Sequence, residues 1–246
     1  MPFYVVSLRS VRRHWALMAA GILTVAALGW GGAQVLQPGN LARTGMVDRF
    51  PGADRWVVLA FADGPNARTT PVILRELKAD HVTATFFPIG LNLLRDSRET
   101  SLLVQGHEDV ECHTLGHINL ASHSYRADLR DLQADVAIVE AVGHYRPHWL
   151  YPPYGAVSSQ SRRAAMLLHL TIVLPTPGEG VSPRVRRPGA IIHQVLSHLQ
   201  PGAIIILPDR VDDWGVVQAL PRLLHLIQVE GYRVTSLSRV GRPGGP

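Results

Sequence analysis

The amino-acid sequence predicts an α/β fold in which a parallel sheet is covered by helices. From Arg55 onward, short apolar runs alternate with stretches of helical periodicity, and this alternation repeats about seven times. The chain has 246 residues, of which 46% are hydrophobic and 17% charged, which is enough to bury one good core. Polar side chains that can bind a metal follow several of the apolar runs, which is where (β/α) barrels carry their chemistry. We therefore expect a (β/α) barrel of about seven units.

Each predicted strand is a short apolar run, and each predicted helix has apolar residues at helical spacing. The predicted strands are 56–61, 83–89, 108–112, 148–151, 171–174, 203–207 and 233–236. The predicted helices are 70–79, 91–105, 129–142, 159–168, 190–199 and 216–229. Thr70 is expected to be the N-cap of the first helix, with Pro71 at its first position.

The first 36 residues differ in composition from the rest of the chain. Residues 1–14 are basic, and residues 15–36 carry no charge over about the length that a bilayer requires. Basic residues before an apolar run predict a membrane anchor with a cytoplasmic N-terminus and an exported domain. A cleaved signal peptide is the alternative, because small residues at 31–33 would suit a signal peptidase, and the domain would then be secreted.

The remainder divides into three parts. Residues 37–54 are punctuated by Pro and Gly and are predicted to be a linker. Residues 55–238 are predicted to form the folded domain, and 239–246 a loose tail. The net charge of +5 does not indicate a nucleic-acid partner, because the arginines are spread along the chain. Cys112 is the only cysteine, so an intrachain disulfide is excluded.

Three side chains are candidate metal ligands. His113 and His117 are separated by three residues, a spacing that lets both rings reach one ion. With 12 histidines in the chain, such a pair is weak evidence without a third ligand. Asp63 supplies one at the end of the first predicted strand, although it could instead cap the turn before Pro65. Two histidines and a carboxylate would leave positions open for water and substrate.

Five motifs in order resemble the polysaccharide deacetylases, the NodB-homology family of carbohydrate esterases, over about residues 55–237. The family's T-F-D-D-G-P, A-T-F-F, H-[ST]-x-x-H, R-P-P-Y-G and L-L-H-D correspond here to AFADGP at 60–65, ATFF at 84–87, HTLGH at 113–117, YPPYG at 151–155 and ILPD at 206–209. The resemblance implies a deformed (β/α) barrel that binds Zn, or alternatively Co, Ni or Mn, through Asp63, His113 and His117. It also implies that the partner is an N-acetylated glycan, either peptidoglycan or a chitin-like oligosaccharide. Tyr154 and Leu207 would then line the oxyanion and acetyl-group pocket.

The catalytic positions depart from the family pattern. Ala62 replaces the Asp that acts as general base in the family, Tyr151 replaces the Arg that holds this base, and Pro208 replaces the His that acts as general acid. Residues 174–182 also lack the Asp-Trp motif that orients the acid. General acid–base groups typically contribute about 10²–10⁴-fold each, so we expect weak or absent deacetylation. The alternative is a non-catalytic glycan-binding or scaffolding pseudoenzyme.

Three side chains are candidate substitutes for the missing acid or base, namely Glu179, Tyr151 and His148. Asp209 is expected to be structural, and the Asp213-Trp214 pair to lie in a loop. Eight other histidines are expected to be solvated or structural, namely His81, His107, His123, His144, His169, His193, His198 and His225. The motif that carries His113 is one residue longer than usual, which predicts a bulge in 108–112 and Cys112 as core filling. The sequence does not predict an oligomeric state.

Overall fold

The fold is described by a computed structural model that covers residues 45–50, 55–181 and 185–240. No helix within these ranges is long and apolar enough to cross a membrane. The predicted basic terminus, 1–14, and the predicted anchor, 15–36, lie outside the described residues.

The strands of the described ranges pair in parallel and form two sheets. They are β1 (Met46–Val47), β2 (Trp56–Ala62), β3 (Thr85–Phe87), β4 (Asp109–Val110), β5 (Trp149–Leu150), β6 (Thr171–Val173), β7 (Ile204–Pro208) and β8 (Arg233–Thr235). One sheet has the order β1-β6-β5, and the other has the order β4-β3-β2-β7, with β8 paired to the first half of β2. The predicted α/β fold with parallel strands is therefore confirmed.

Single bridges join the two sheets at three places, and one of them is the antiparallel pair of Arg49, after β1, with Ala203, before β7. Cys112, just after β4, pairs in parallel with Leu150 of β5, and Gly180, after β6, pairs in parallel with Ile206 of β7. Trp149 and Ile206, from different sheets, belong to the same buried cluster of strand side chains. The strands thus surround a common interior, and their opposite faces pack against helices.

The helices follow the strands along the chain. They are α1 (Thr70–Ala79), α2 (Gly90–Arg95), α3 (Ser97–Gln105), α4 (Tyr125–Gly143), α5 (Ser159–Leu167), α6 (Pro188–His198), α7 (Trp214–Val229) and α8 (Leu237–Val240), with a 3₁₀ turn at Pro153–Gly155. Ser158 begins α5 with a capping box to Ser161, and Ser124 caps α4 through the N–H of Ala127.

Two helical predictions are wrong. The predicted helix 91–105 is divided at Asp96, whose non-helical backbone (φ −104°, ψ 58°) ends α2 and begins α3. Asp is a poor residue for a helix interior because its side chain competes for backbone groups, and this favours the break. Asp213 and Trp214, predicted to lie in a loop, are the N-cap and first residue of α7.

The start of α1 is also shifted by one residue. Its N-cap is Thr69 rather than the predicted Thr70. The Thr69 hydroxyl does not cap the helix, because it donates instead to Asp209 Oδ1 at 2.6 Å. The Thr70 hydroxyl donates to the other oxygen of the same carboxylate, also at 2.6 Å. Asp209 is therefore a buried structural carboxylate, as predicted.

Part of the predicted linker, 37–54, is integrated into the fold. Met46–Val47 forms β1 and pairs with β6. The N–H of Phe50 donates to the Gly202 carbonyl at 2.9 Å, and its ring lies 5.9 Å from that of Trp149. Proline and glycine punctuation hides this short strand, which needs a neighbouring strand to form.

The approach to the first histidine follows regular parallel pairing rather than the predicted bulge, because the N–H groups of Asp109 and Glu111 donate to the carbonyls of Ala84 and Phe86. Val110 and Cys112, two residues apart, both pack in the outer core, by which we mean the hydrophobic core between the strands and the helices, as strand alternation requires. Cys112 is completely buried, which fits its predicted role as core filling. This alternation turns His113 towards the interior side, so no bulge is needed to place the ligand.

Four helices are followed by a histidine in the left-handed conformation. His81, His107, His144 and His169 have φ between 54° and 60° and are all exposed. Glycine is the usual residue at such a position, because an L side chain is strained there. These histidines lie at helix ends, in agreement with the predicted solvated or structural role.

Candidate metal centre and cleft

The three predicted ligands meet at the carboxyl ends of neighbouring strands. Asp63 follows β2, His113 follows β4, and His117 lies in the loop that leads to α4. Asp63 Oδ1 is 3.1 Å from His113 Nε2 and 3.2 Å from His117 Nε2. The three donor atoms lie within 4.8 Å of one another.

The donor set fits a divalent cation. His113 Nδ1 lies 2.5 Å from the Tyr151 carbonyl oxygen, which can only accept a hydrogen bond. Nδ1 therefore carries the proton, and the lone pair of Nε2 points towards Asp63 and His117. Donor atoms about 3 Å apart are compatible with metal–ligand distances of roughly 2.0–2.2 Å.

The charge of Asp63 is stabilised by its neighbours. Burial alone would raise the pKa of its carboxyl, but in the metal-free site the hydrogen bonds and charges of the protonated forms of His113 and His117 outweigh burial and lower it. A bound cation would take the place of the protons on the nitrogens that face Asp63. Arg210 Nε lies 3.6 Å from Asp63 Oδ2, the oxygen that does not face the histidines. Asp213 holds this guanidinium, with Arg210 Nε 3.0 Å from Asp213 Oδ2.

The backbone at the centre is strained. Asp63, Thr114, His117 and Tyr154 have φ values of 77°, 69°, 57° and 62°. A left-handed conformation in a residue other than glycine is uncommon and persists only when the surroundings hold it. Within the described residues, the other non-glycine positions with positive φ are the four helix-end histidines.

A cleft of about 310 Å³ opens beside the three ligands. Ala62, Tyr151, Tyr154, Leu207, Pro208 and Arg210 contribute to its lining. Tyr154 is 70% exposed, and its ring lies edge-on to that of His117 at 5.0 Å. Leu207 borders the cleft but is completely buried and packs in the outer core.

The three degenerate positions come together as one wall of the cleft. Ala62 and Pro208 are register partners at the ends of β2 and β7, and Ala62 is only 3% exposed. The Tyr151 ring stacks on His113, with centroids 5.0 Å apart and planes 8° apart. Burial and the charge of Asp63 raise the pKa of Tyr151 to about 12. A phenol with this pKa stays protonated near neutral pH, so it does not replace the missing base.

The other two proposed substitutes lie outside the residues that line the cleft. Glu179 is completely buried, and neither carboxylate oxygen has a hydrogen-bond partner within the described part of the chain. His148 precedes β5, where its N–H donates to Glu111 Oε2 at 2.8 Å. That is the amino end of the strand, whereas the cleft is built at the carboxyl ends.

Sequence reasoning missed the residues that support the ligands. Arg210 directly follows the ILPD motif, so its place on a strand-end loop was the only available signal. Asp131 and Asp135 of α4 contact the loop that carries both histidines. On an amphipathic helix, their spacing is equally typical of a solvated face.

The chain is similar in sequence to polysaccharide deacetylases. A family model described as polysaccharide deacetylase matches residues 51–173. A chitooligosaccharide deacetylase of Bradyrhizobium sp. (strain ANU 289) is 33% identical over 206 residues, which cover 76% of this chain and 90% of that protein.

Solved structures share the fold. The Bc1960 peptidoglycan N-acetylglucosamine deacetylase matches with a TM-score of 0.77 at 24% identity, over 83% of this chain and 96% of that one. BA3943 of Bacillus anthracis, a CE4 family pseudoenzyme, matches with a TM-score of 0.73 at 21% identity, over 83% and 69% of the two chains. A mutant of BA3943 with restored enzymatic activity also matches, with a TM-score of 0.73 at 22% identity, over 83% and 72%.

Proposed function

Because the chain belongs to the polysaccharide deacetylase family, we propose that it binds N-acetylated glycan at a divalent-metal centre and deacetylates it only weakly. The observation that carries the proposal is the convergence of Asp63, His113 and His117 beside the cleft. These three residues would hold the ion, with Zn the natural choice and Co, Ni or Mn as alternatives. Such an ion polarises a substrate carbonyl and lowers the pKa of water.

The weakness of deacetylation is inferred from the wall of the cleft. Ala62 has no proton-accepting atom, Pro208 has no proton to give, and the pKa of Tyr151 is raised to about 12. Each positioned acid or base is typically worth about 10²–10⁴-fold, although the losses do not add. The residual contribution of this chain is to bind and orient the N-acetyl group beside the metal ligands.

The proposed partner is peptidoglycan or a chitin-like oligosaccharide. This follows from the polymers named for the related deacetylases and from the exposed Tyr154 at the cleft, whose ring offers a sugar an apolar face. The bridges at Cys112–Leu150 and Gly180–Ile206 support describing the scaffold as a deformed barrel.

The proposed location is extracytoplasmic. Residues 15–36 would tether the domain to the membrane, with the basic residues 1–14 in the cytoplasm. Cleavage of this segment would give a secreted protein instead. Protease accessibility of the domain in intact cells, compared with the size of the mature chain, distinguishes the two.

A non-catalytic glycan-binding or scaffolding role is the second candidate, and the wall of Ala62, Tyr151 and Pro208 favours it. Both candidates require metal and glycan binding. They differ in turnover, because only a deacetylase releases acetate.

The test measures three quantities on the purified full-length protein. These are bound metal, glycan binding and acetate release from chito-oligosaccharides and peptidoglycan. We expect stoichiometric metal, metal-dependent glycan binding, and slow acetate release that disappears in Asp63→Ala. Glycan binding without acetate release would select the scaffolding role, and failure to bind metal would overturn both.

A further inference from the structure

We propose that Asp131 and Asp135 of α4 are positioning residues of the metal centre, because they hold the backbone of the loop that carries both histidine ligands. The inference rests on the proposed metal site. It assigns to this site two carboxylates that lie outside the family-like motifs and have no place in the reaction itself.

The contacts run from one helix face to consecutive residues of the loop. The N–H of His113 donates to Asp135 Oδ2 at 3.1 Å, and the N–H of Leu115 donates to Asp131 Oδ1 at 2.9 Å. The N–H group of Thr114 also donates to Asp135, and that of Gly116 also donates to Asp131. Burial raises the pKa of both carboxyls, to about 8 for Asp135, and the hydrogen bonds from these N–H groups offset only part of the rise.

The loop is held from its other side by the start of α2. The N–H groups of Gly90 and Leu91 donate to the carbonyls of Thr114 and Leu115 at 3.1 and 3.0 Å. A Cβ atom on Gly90 would lie 2.5 Å from Asp135 Oδ1 and 3.2 Å from the Leu115 Cα. The glycine thus lets α2, the loop and the α4 carboxylate approach one another closely. The donors and acceptors of this backbone are consequently fixed from two directions.

This fixation explains how the strained ligand loop persists. Thr114 and His117 are both left-handed, and such residues need surroundings that leave no relaxed alternative. A shift of the 113–117 backbone would move both imidazole nitrogens relative to Asp63. Mutation of a residue that hydrogen-bonds to a metal ligand typically lowers metal affinity by about 10–100-fold.

Asp128 provides a matched control on the same helix. It lies three residues before Asp131 and seven before Asp135, so the three side chains share one face. It is completely buried, and neither of its carboxylate oxygens has a hydrogen-bond partner among the described residues. If the helix face mattered only for stability, replacing Asp128 would affect the centre as much as replacing the other two.

The experiment measures the Zn²⁺ dissociation constant of the full-length protein by competition with a chromophoric chelator, together with the Co²⁺ absorption spectrum. Asp131→Ala and Asp135→Ala are expected to weaken Zn²⁺ binding by about 10–100-fold and to alter the Co²⁺ spectrum. Asp131→Asn and Asp135→Asn keep one acceptor oxygen but present an amide donor to the remaining N–H groups, so about tenfold weakening is expected. Asp128→Asn should leave both readouts unchanged.

The outcomes separate this inference from the proposed function. If the wild-type protein binds no metal, the proposed function fails and the inference falls with it. If the wild-type protein binds metal but folded Asp131 and Asp135 variants bind it equally well, only the inference is overturned. Equal weakening by Asp128→Asn would also overturn it, because the effect would then come from the helix as a whole. Should the alanine variants fail to fold, as judged by circular dichroism, the asparagine variants decide the question.

Discussion

The side of the cleft that carries the three candidate metal ligands differs in its chemistry from the wall formed by Ala62, Tyr151 and Pro208. Asp63, His113 and His117 converge with their supporting hydrogen bonds in place. In the wall, Ala62 and Pro208 have no side-chain group that can transfer a proton. Polar groups are costly to bury, so the hydrogen bonds around Asp63, His113 and His117 support our proposal that the geometry of these three side chains serves the function.

Tyr151 joins the two regions. Its backbone carbonyl accepts the hydrogen bond that orients His113, while its side chain stacks on the same imidazole and fills the wall. The backbone contact requires no particular side chain, so the ligand side survives an exchange that removes the Arg expected from the family. The proposed metal site is therefore compatible with different side chains at position 151.

The largest expected effect comes from rebuilding the wall. Ala62→Asp combined with Tyr151→Arg and Pro208→His should raise metal-dependent acetate release by about 10²–10⁴-fold, because it restores a base, its partner and an acid. Ala62→Asp alone should gain little and should destabilise the fold, since position 62 is only 3% exposed and the new charge would be unpaired. Acetate release per metal-loaded protein is the measurement.

Asp63→Ala in the rebuilt protein is the control, and it should remove the gain. A rebuilt protein that is folded and loaded with metal but remains inert would contradict the contrast between the two regions. The defect would then lie in the substrate groove or in residues 174–182.

The convergence of the three candidate ligands could be predicted from the sequence, because parallel strands place their carboxyl ends together. Residues that follow separate apolar runs are therefore expected to meet. The residues that support these ligands could not be predicted. Asp131 and Asp135 are recognisable only once α4 is known to lie under the ligand loop, which is a tertiary relation without a local signal. Arg210 was missed for the same reason. The break at Asp96 and strand β1 were missed because helical periodicity continues across the first, and the second depends on pairing with β6.

The second prediction tests whether Glu179 belongs to the buried structure rather than to the catalytic wall. Burial raises its pKa from 4.5 to about 8. Between these values the folded protein keeps the proton and the unfolded chain loses it, so the stabilising contribution present at low pH declines as pH rises towards 8. The limiting slope for one such group is about 1.4 kcal/mol per pH unit.

Glu179→Gln should therefore flatten the decline in unfolding free energy between about pH 5 and 8, measured by urea denaturation. Glu230→Gln, at an exposed position, is the matched control and should leave the slope unchanged. An unaltered slope in Glu179→Gln would mean that Glu179 is ionised in the folded state, and its role as a base would have to be reconsidered.

The smallest expected effect tests whether the strained backbone at the metal centre has a different role from the strained backbone at the helix ends. His107 and His169 are exposed and left-handed, with φ of 58° and 60°, so His107→Gly and His169→Gly should each raise the unfolding free energy by up to about 1 kcal/mol. The same substitution inside α6, His193→Gly, should lower it by about 1 kcal/mol, because glycine is unfavourable within a helix. None of the three should change metal affinity.

Thr114→Gly relieves a similar φ but removes the hydroxyl that accepts the Ile118 N–H at 3.2 Å, and it should weaken metal binding. If all the left-handed positions respond alike in stability and in metal affinity, the strained loop has no special connection to the ligands.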